Sequence, residues 1–305
     1  MNIVAMRNED LPALLDLIRV LALHPIDEAA FLRMNTIEDL TSPEDLRLLA
    51  WQDGRLAGFL LGCVRNIRNT AGPVGVIKLF GVHPAYRRRG IATALFDEVE
   101  RRFAARGLGL YAAEGVGPHW FFAGVELNQT AAISLLLHRG YTTDRVARVD
   151  MRVDLATADL DTSAAEAALA AEGIALRRAD AGDVASTLAL VEEHFSPGWR
   201  IEVADMERHS PWPLFVAATA ERVVGFAATE VSGPRRFGPT GTDPAYRRKG
   251  IGGALLKMCM RDLRERGAAE SEIGWVGPIG FYARAVGAEV HRAYWCFRKE
   301  AAAVE

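Results

Sequence analysis

His83-Pro84-Ala85-Tyr86-Arg87-Arg88-Arg89-Gly90-Ile91-Ala92-Thr93-Ala94-Leu95 returns, lightly edited, as Asp243-Pro244-Ala245-Tyr246-Arg247-Arg248-Lys249-Gly250-Ile251-Gly252-Gly253-Ala254-Leu255. Each copy follows a strand-like run, Val74 to Val82 and Arg236 to Thr242. Each leads into apolar residues at helical spacing: Ile91, Leu95, Val99 and Phe103, then Ile251, Leu255, Cys259 and Leu263. Strand, loop and helix are therefore expected twice. Where such a loop becomes a helix, the first N–H groups lack intrahelical partners and the helix dipole adds partial positive charge, so an anion is favoured there. Glycine lets backbone amides face inward, the small residue after it lets an anion approach, and basic side chains add charge complementarity. The expected anion-holding residues are Arg87, Arg88, Arg89, Gly90, Ile91, Ala92 and Thr93 in the first copy. In the second they are Arg247, Arg248, Lys249, Gly250, Ile251, Gly252 and Gly253.

The repeat extends outward from the loops. Ile3 to Arg7, followed by Asn8-Glu9-Asp10, resembles Ile174 to Arg178, followed by Ala179-Asp180; each reads as a short strand entering a helix through an acidic cap. Leu46 to Val64 reads as a hairpin turning at Asp53-Gly54, and Leu214 to Val231 as another turning near Ala220-Glu221. Both second strands begin Gly-Phe, at Gly58-Phe59 and Gly225-Phe226, and both loop-following helices end at Arg-Gly, Arg106-Gly107 and Arg266-Gly267. The order of anchors is the same in both copies, which a duplicated domain explains. The fold class expected is α/β, as two tandem mixed-sheet α/β domains. The divisions are 1–154, a linker at 155–173 with a short helix from Ser163 to Glu172 and no chemistry, and 174–305.

At 305 residues the chain suits two domains, each with its own core. It is 50% hydrophobic and 25% charged with net charge −3, which gives no global pull toward nucleic acid or acidic membranes. Cys63, Cys259 and Cys296 lie far apart and form no metal-type spacing; as free thiols they fit a reducing cytoplasm. The leucine-rich run from Leu11 to Leu23 is broken at helical spacing by Asp16 and Arg19, so it reads as an amphipathic helix rather than a signal peptide or a membrane span. Neither loop ends in Gly-Lys-Ser/Thr, which excludes a nucleotide P-loop, and Leu95 and Leu255 stand where a dinucleotide fingerprint needs glycine or alanine.

Arg87-x-x-Gly90-x-Ala92 and Arg247-x-x-Gly250-x-Gly252, each between a strand and a helix, resemble the signature of the GCN5-related N-acetyltransferase (GNAT) superfamily, and the resemblance covers nearly the whole chain. It implies that the loop amides bind the pyrophosphate of acetyl-CoA. It also implies that the fourth and fifth strands of each copy splay apart, with the thioester beside Gly81-Val82 or Gly241-Thr242. The implied reaction is direct attack of a small-molecule or peptide amine on the thioester, assisted by an acid for the departing thiolate. Family members often supply that acid from a tyrosine on the helix after the fifth strand. Tyr282 stands there in the second copy, whereas the first has leucines (Leu135, Leu136, Leu137), and so the second copy is expected to carry catalysis. Asn128 resembles the family asparagine near the end of the fifth strand. Glu230, Glu272 and Glu114 are open candidates for a base, with water relay as the alternative. Trp199 and Trp212 flank the region that covers the acceptor in the family, and His119, Trp120, Phe121 and Phe122 read as a loop packing on the sheet. The chain is expected to be a monomer with pseudo-dimeric domains or a homodimer. The alternative function is an acyl-CoA-binding module without turnover.

Overall fold

A computed structural model describes residues 1–23, 28–67, 70–118 and 120–301. The first half runs β1 (Asn2–Ala5), α1 (Leu11–Val20), α2 (Ala29–Asn35), β2 (Arg47–Gln52), β3 (Arg55–Asn66), β4 (Pro73–Val82) and α3 (Ile91–Ala104). It continues through β5 (Leu110–Ala113), β6 (Val125–Glu126), α4 (Thr130–His138) and β7 (Arg148–Asp154). The second half runs α5 (Ser163–Ala171), β8 (Ala175–Arg178), α6 (Val184–His194), α7 (Pro197–Ala204), β9 (Leu214–Ala218), β10 (Val223–Thr229) and β11 (Arg236–Thr242). It ends with α8 (Ile251–Glu265), β12 (Glu270–Ile273), α9 (Ile279–Val286), β13 (Glu289–Trp295) and β14 (Phe297–Glu300).

Two compact units result, but they are not the contiguous halves read from the sequence. One unit is Met1–Arg148 with Ala293–Glu305, the other Val149–Arg292. The first unit's sheet has the order β1-β2-β3-β4-β5-β14, so the chain's last strand, paired antiparallel from Phe297↔Ala113 to Glu300↔Leu110, closes it. The second unit's sheet contains the order β13-β7-β12-β11-β10-β9-β8, in which β7 pairs antiparallel with β12 from Met151↔Ile273 to Asp154↔Glu270. Nor is 155–173 a free linker. Leu155, Leu160 and Leu169 are buried in the same core as Ile251 and Leu255 of α8.

Strand periodicity explains the layers, because neighbouring side chains on a strand face opposite sides of the sheet. In the first unit Leu48 and Ala50 join α3 residues Leu95, Val99 and Phe103, while Leu49 joins α1 and α2 residues Leu14, Ile18 and Phe31. In the second unit Phe215 and Ala217 face α8, whereas Leu214 and Val216 face Leu190 of α6 and Val203 of α7. The β2–β3 turn has Asp53 at φ +51° and Gly54 at φ +73°, two left-handed residues in succession, which suits a two-residue hairpin between twisted strands. The helices α3 and α8 end before Gly107 and Gly267, at φ +69° and +90°. Among the described residues no helix is long and apolar enough to cross a membrane.

Candidate active site

Each sheet opens where its helix-leading loop begins. In the first unit β4 and β5 are parallel partners only from Gly75↔Tyr111 to Ile77↔Ala113, so Lys78 to Val82 run on without β5 beside them. In the second, β11 and β12 pair at Arg236↔Glu272 and Phe237↔Ile273, and Gly238 to Thr242 run on likewise. The other edge of that stretch stays paired, through Gly225↔Thr242 and Phe226↔Gly241. The divergence therefore leaves backbone N–H and C=O groups of one strand facing a gap, which runs on to Gly81-Val82 and Gly241-Thr242.

The two loops have the same conformation. After a turn at Pro84–Tyr86 or Pro244–Tyr246, Arg88 and Arg248 take the left-handed region at φ +61° and +64°. Gly90 and Gly250 then cap α3 and α8 at φ +79° and +87°. The turn is held by His83 Nδ1 or Asp243 Oδ1, which accepts the amide of Ala85 (3.2 Å) or Ala245 (2.8 Å). Ile91 and Ile251 are buried, so only their backbone is open to a ligand; their side chains press on Gly58 and Gly225. This is why both hairpins carry glycine there. Thr93 is exposed and Ala92 half-buried.

The basic residues divide in their contacts. Arg87 Nε donates to Val82 O (3.3 Å) and Arg247 Nε to Thr242 O (3.4 Å), so each braces the end of its own strand. The Arg89 guanidinium lies 5.3 Å from the Tyr86 ring centre, and Lys249 is ion-paired with Glu172. At the start of α8 there is open space: a Cβ built on Gly250 or Gly253 meets no atom within 4 Å, and one on Gly252 meets only Phe281 (3.7 Å) and Thr242 Oγ1 (3.8 Å). A cleft of about 600 Å³ begins here, lined by Gly250, Gly253 and Lys257 of α8, by Ala283 to Gly287, and by residues between Asp154 and Ala165.

Tyr282 is turned inward from α9, 7% exposed, with its ring edge-on to Phe237 (6.1 Å) and Phe281 (4.9 Å). Phe237 is the last β11 residue paired with β12, so Tyr282 packs at the base of the gap. Burial pushes its phenol up to about 12, which keeps the proton on the oxygen at neutral pH. In the first unit Tyr141 is also buried, but its hydroxyl donates to Glu100 Oε1 (3.1 Å).

All three carboxylates named as possible bases are in ion pairs. Glu272 Oε1 accepts Arg236 Nη2 (2.7 Å) and Nε (3.1 Å); Arg236 is 1% exposed, and the parallel register sets the two side by side. Glu230 pairs with Arg266, and Glu114 Oε1 with Arg298 Nη2 (3.1 Å). Asn128 is exposed and donates to Glu126 Oε1 (3.1 Å). Trp199 stacks on Phe195 (5.3 Å), whose ring covers the Cα of Gly241, while Trp212 joins the same cluster and its carbonyl accepts Arg178 Nη1 (2.6 Å). Phe121 is buried against Phe31 and Phe122 stacks on Tyr294, with Trp120 beside them; His119 lies outside the described residues. Sequence reading missed two contributors. Phe195 directly follows α6, and its only local signal is an aromatic at a helix end. The stretch 154–165 has three aspartates, at 154, 159 and 161, beside an alanine-rich run.

A model of the acetyltransferase (GNAT) family matches residues 11–141, and one of the acetyltransferase (GNAT) domain matches 210–285. An acetyltransferase of Sodalis glossinidius is 36% identical over 74 residues, 24% of this chain and 48% of that protein. One from Pectobacterium atrosepticum is 35% identical over a stretch of the same length. The chain thus spans about half the length of these curated relatives. Among solved structures, the GCN5-related glucosamine N-acetyltransferase region of a fungal multi-domain β-N-acetylglucosaminidase is similar at TM-score 0.79 and 20% identity, over 98% of this chain and 38% of that one. A GCN5-related N-acetyltransferase from Sphaerobacter thermophilus gives TM-score 0.69 and 22% identity, over 98% and 95%. A tandem GNAT protein from the clavulanic acid biosynthesis pathway gives 0.70 and 16%, over 100% and 99%. At these identities the likeness is one of fold. With a GNAT match in each half, together over more than half of its length, the chain belongs to the GNAT acetyltransferase family as a tandem member.

Proposed function

We propose that this protein transfers an acetyl group from acetyl-CoA to the amine of a small molecule or peptide, with the chemistry in the second unit. The observation that carries this reading is the divergence of β11 from β12 above a buried Tyr282, ending at an open, glycine-capped helix start. The residues present fit the co-substrate. Gly250 and Gly253 leave the helix end bare for a pyrophosphate, Arg248 adds charge, and the unpaired edge of β11 offers backbone groups to an amide-containing arm. When bound, acetyl-CoA supplies an activated acetyl thioester. With the thioester reaching toward Phe237 at the base of the gap, Tyr282, which holds a proton through the neutral range, delivers it to the departing sulfur as the new N–C bond forms and the C–S bond breaks. With Glu230 and Glu272 committed to arginines, the amine loses its proton to water. Phe195 and Trp199, against Gly241, form an apolar wall beside that edge for the acceptor.

A second role fits the first unit: holding the same ligand without turnover. Lys78, the first unpaired residue of β4, is buried, its Nζ bound by Asp39 Oδ2 (2.7 Å) and Asn35 O (2.6 Å) beneath Phe121. Asn35 and Asp39 come from the region between the first helix and the hairpin, the one that covers the acceptor in the family, so that face is filled by the protein itself. Turnover of acetyl-CoA with a panel of amines by wild type and Tyr282→Phe tests the reading. An enzyme loses rate and keeps its affinity for acetyl-CoA; no turnover with any amine by the wild type leaves only the binding role.

A further inference from the structure

We propose that the segment joining the two copies is part of the ligand site of the second unit and sets its grip on phosphate groups. In this arrangement Glu172 and Asp159 compete with a bound phosphate for Lys249 and Lys257. The inference rests on the reading above that this unit takes acetyl-CoA, and concerns which side chains a phosphate must displace.

The segment is fixed where it can act. Leu160 and Leu169 anchor it in the α8 core, and Thr157, Ala158 and Thr162 form one wall of the cleft, facing Gly250 and Gly253. Its acidic groups meet cations of the loop and of α8 directly. Glu172 pairs with Lys249 in the loop, and Asp159 Oδ2 accepts Lys257 Nζ at 2.8 Å, with the carbonyl of Asp161 at 3.2 Å from the same nitrogen. Lys257 lies two turns into the helix and lines the cleft. The carboxylates of Asp154 and Asp161 are tied to local turns, through the amides of Ala156 (2.9 Å) and Ser163 (2.9 Å). Both lysines that could answer a phosphate are thus already answered, and by groups on the sequence stretch between the repeats. The first loop is built differently: its matching cation, Arg89, rests on the Tyr86 ring.

Exposed ion pairs are weak and screened by salt, so a ligand with additional contacts can displace these carboxylates, while one offering charge alone gains little. The second unit therefore admits a CoA thioester, which also engages the unpaired β11 edge, and discriminates against free pyrophosphate.

The test is calorimetric titration of acetyl-CoA into Gly90→Glu protein, in which only the second loop reports, with and without Glu172→Gln and Asp159→Asn. Removing the two carboxylates should tighten binding by about three- to tenfold. It should also make inorganic pyrophosphate a competitor, which it is not for the parent. Lys249→Gln should cancel the gain from Glu172→Gln, since a merely structural Glu172 would give additive effects. Unchanged or weaker affinity overturns the proposal and leaves the acetyl-CoA reading standing. Absence of binding both with and without the carboxylates overturns the two together. Melting curves check that each protein is folded.

Discussion

Ile251 Cγ2 lies 2.7 Å from the point where a Cβ would stand on Gly225, and the first unit repeats the contact with Ile91 and Gly58 at 2.9 Å. The first residue of α8 is thus seated in a notch of the second hairpin strand. That contact links sheet packing to the position of the loop before α8, because Ile251 directly follows the capping glycine. Gly225→Ala should overpack the notch and destabilise the protein by about 1–3 kcal/mol. It should also weaken acetyl-CoA binding, since α8 must shift away from the strand. Chemical denaturation and calorimetry on the same preparation check both effects.

Tyr282 yields a pH prediction. Its folded pKa, about 12, lies above the usual value near 10 because burial penalises the phenolate. A raised pKa leaves stability untouched below the unfolded value and lowers it as pH rises from there through the folded one. The rate of acetyl transfer should accordingly show no loss attributable to this acid below about pH 10. The difference in ultraviolet titration between wild type and Tyr282→Phe should show one phenol ionising near pH 12. A phenol titrating at 10 or below would place Tyr282 in solvent and remove its role.

Glu272 separates structure from catalysis. As the partner of a guanidinium that is 1% exposed, it holds a buried charge in place. Glu272→Ala should cost about 3 kcal/mol, because the buried Arg236 guanidinium loses its carboxylate. Where the variant is folded, the pH dependence of turnover should keep the wild-type shape if the amine loses its proton to water. Loss of the alkaline-rising limb would instead make Glu272 the base.

In the first unit, burial alone would raise the Asp39 carboxyl, but Lys78 and Arg65 outweigh it and hold the pKa below the ordinary value. The stabilisation this carries is complete above the unfolded pKa near 4 and is lost as pH falls through the lower folded value. Thermal melts across the acid range should show wild-type stability falling there. Asp39→Asn should remove most of that dependence and cost about 3–5 kcal/mol at neutral pH, since two buried cations lose their carboxylate.

What the sequence disclosed was local. Loops, hairpin turns and helix stops were readable because Asp53-Gly54, Gly90, Gly107 and Gly250 each declare a backbone geometry by themselves, and the structure has all five residues at positive φ. The exchange of end strands was not readable. Met151 and Val153 alternate as any half-buried strand does, and nothing near them names β12 as the partner. Phe297 pairs with Ala113 across most of the chain, a register that only the assembled sheet decides. The ion pair of Glu272 was unreadable for the same reason, since a parallel pairing sets Arg236 beside it. Segment 155–173 lacked aromatics and looked inert, yet its carboxylates meet Lys249 of the loop and Lys257 of α8.

In the proposed function the second unit performs the transfer. Release of CoA thiol from acetyl-CoA, with an accepted amine, by Gly90→Glu and Gly250→Glu proteins tests it most directly. A glutamate at either cap blocks its anion site by bulk and charge. Gly250→Glu should abolish thiol release while Gly90→Glu retains it. Retained release in Gly250→Glu with loss in Gly90→Glu would contradict it, move the chemistry to the first unit and leave Tyr282 a packing residue.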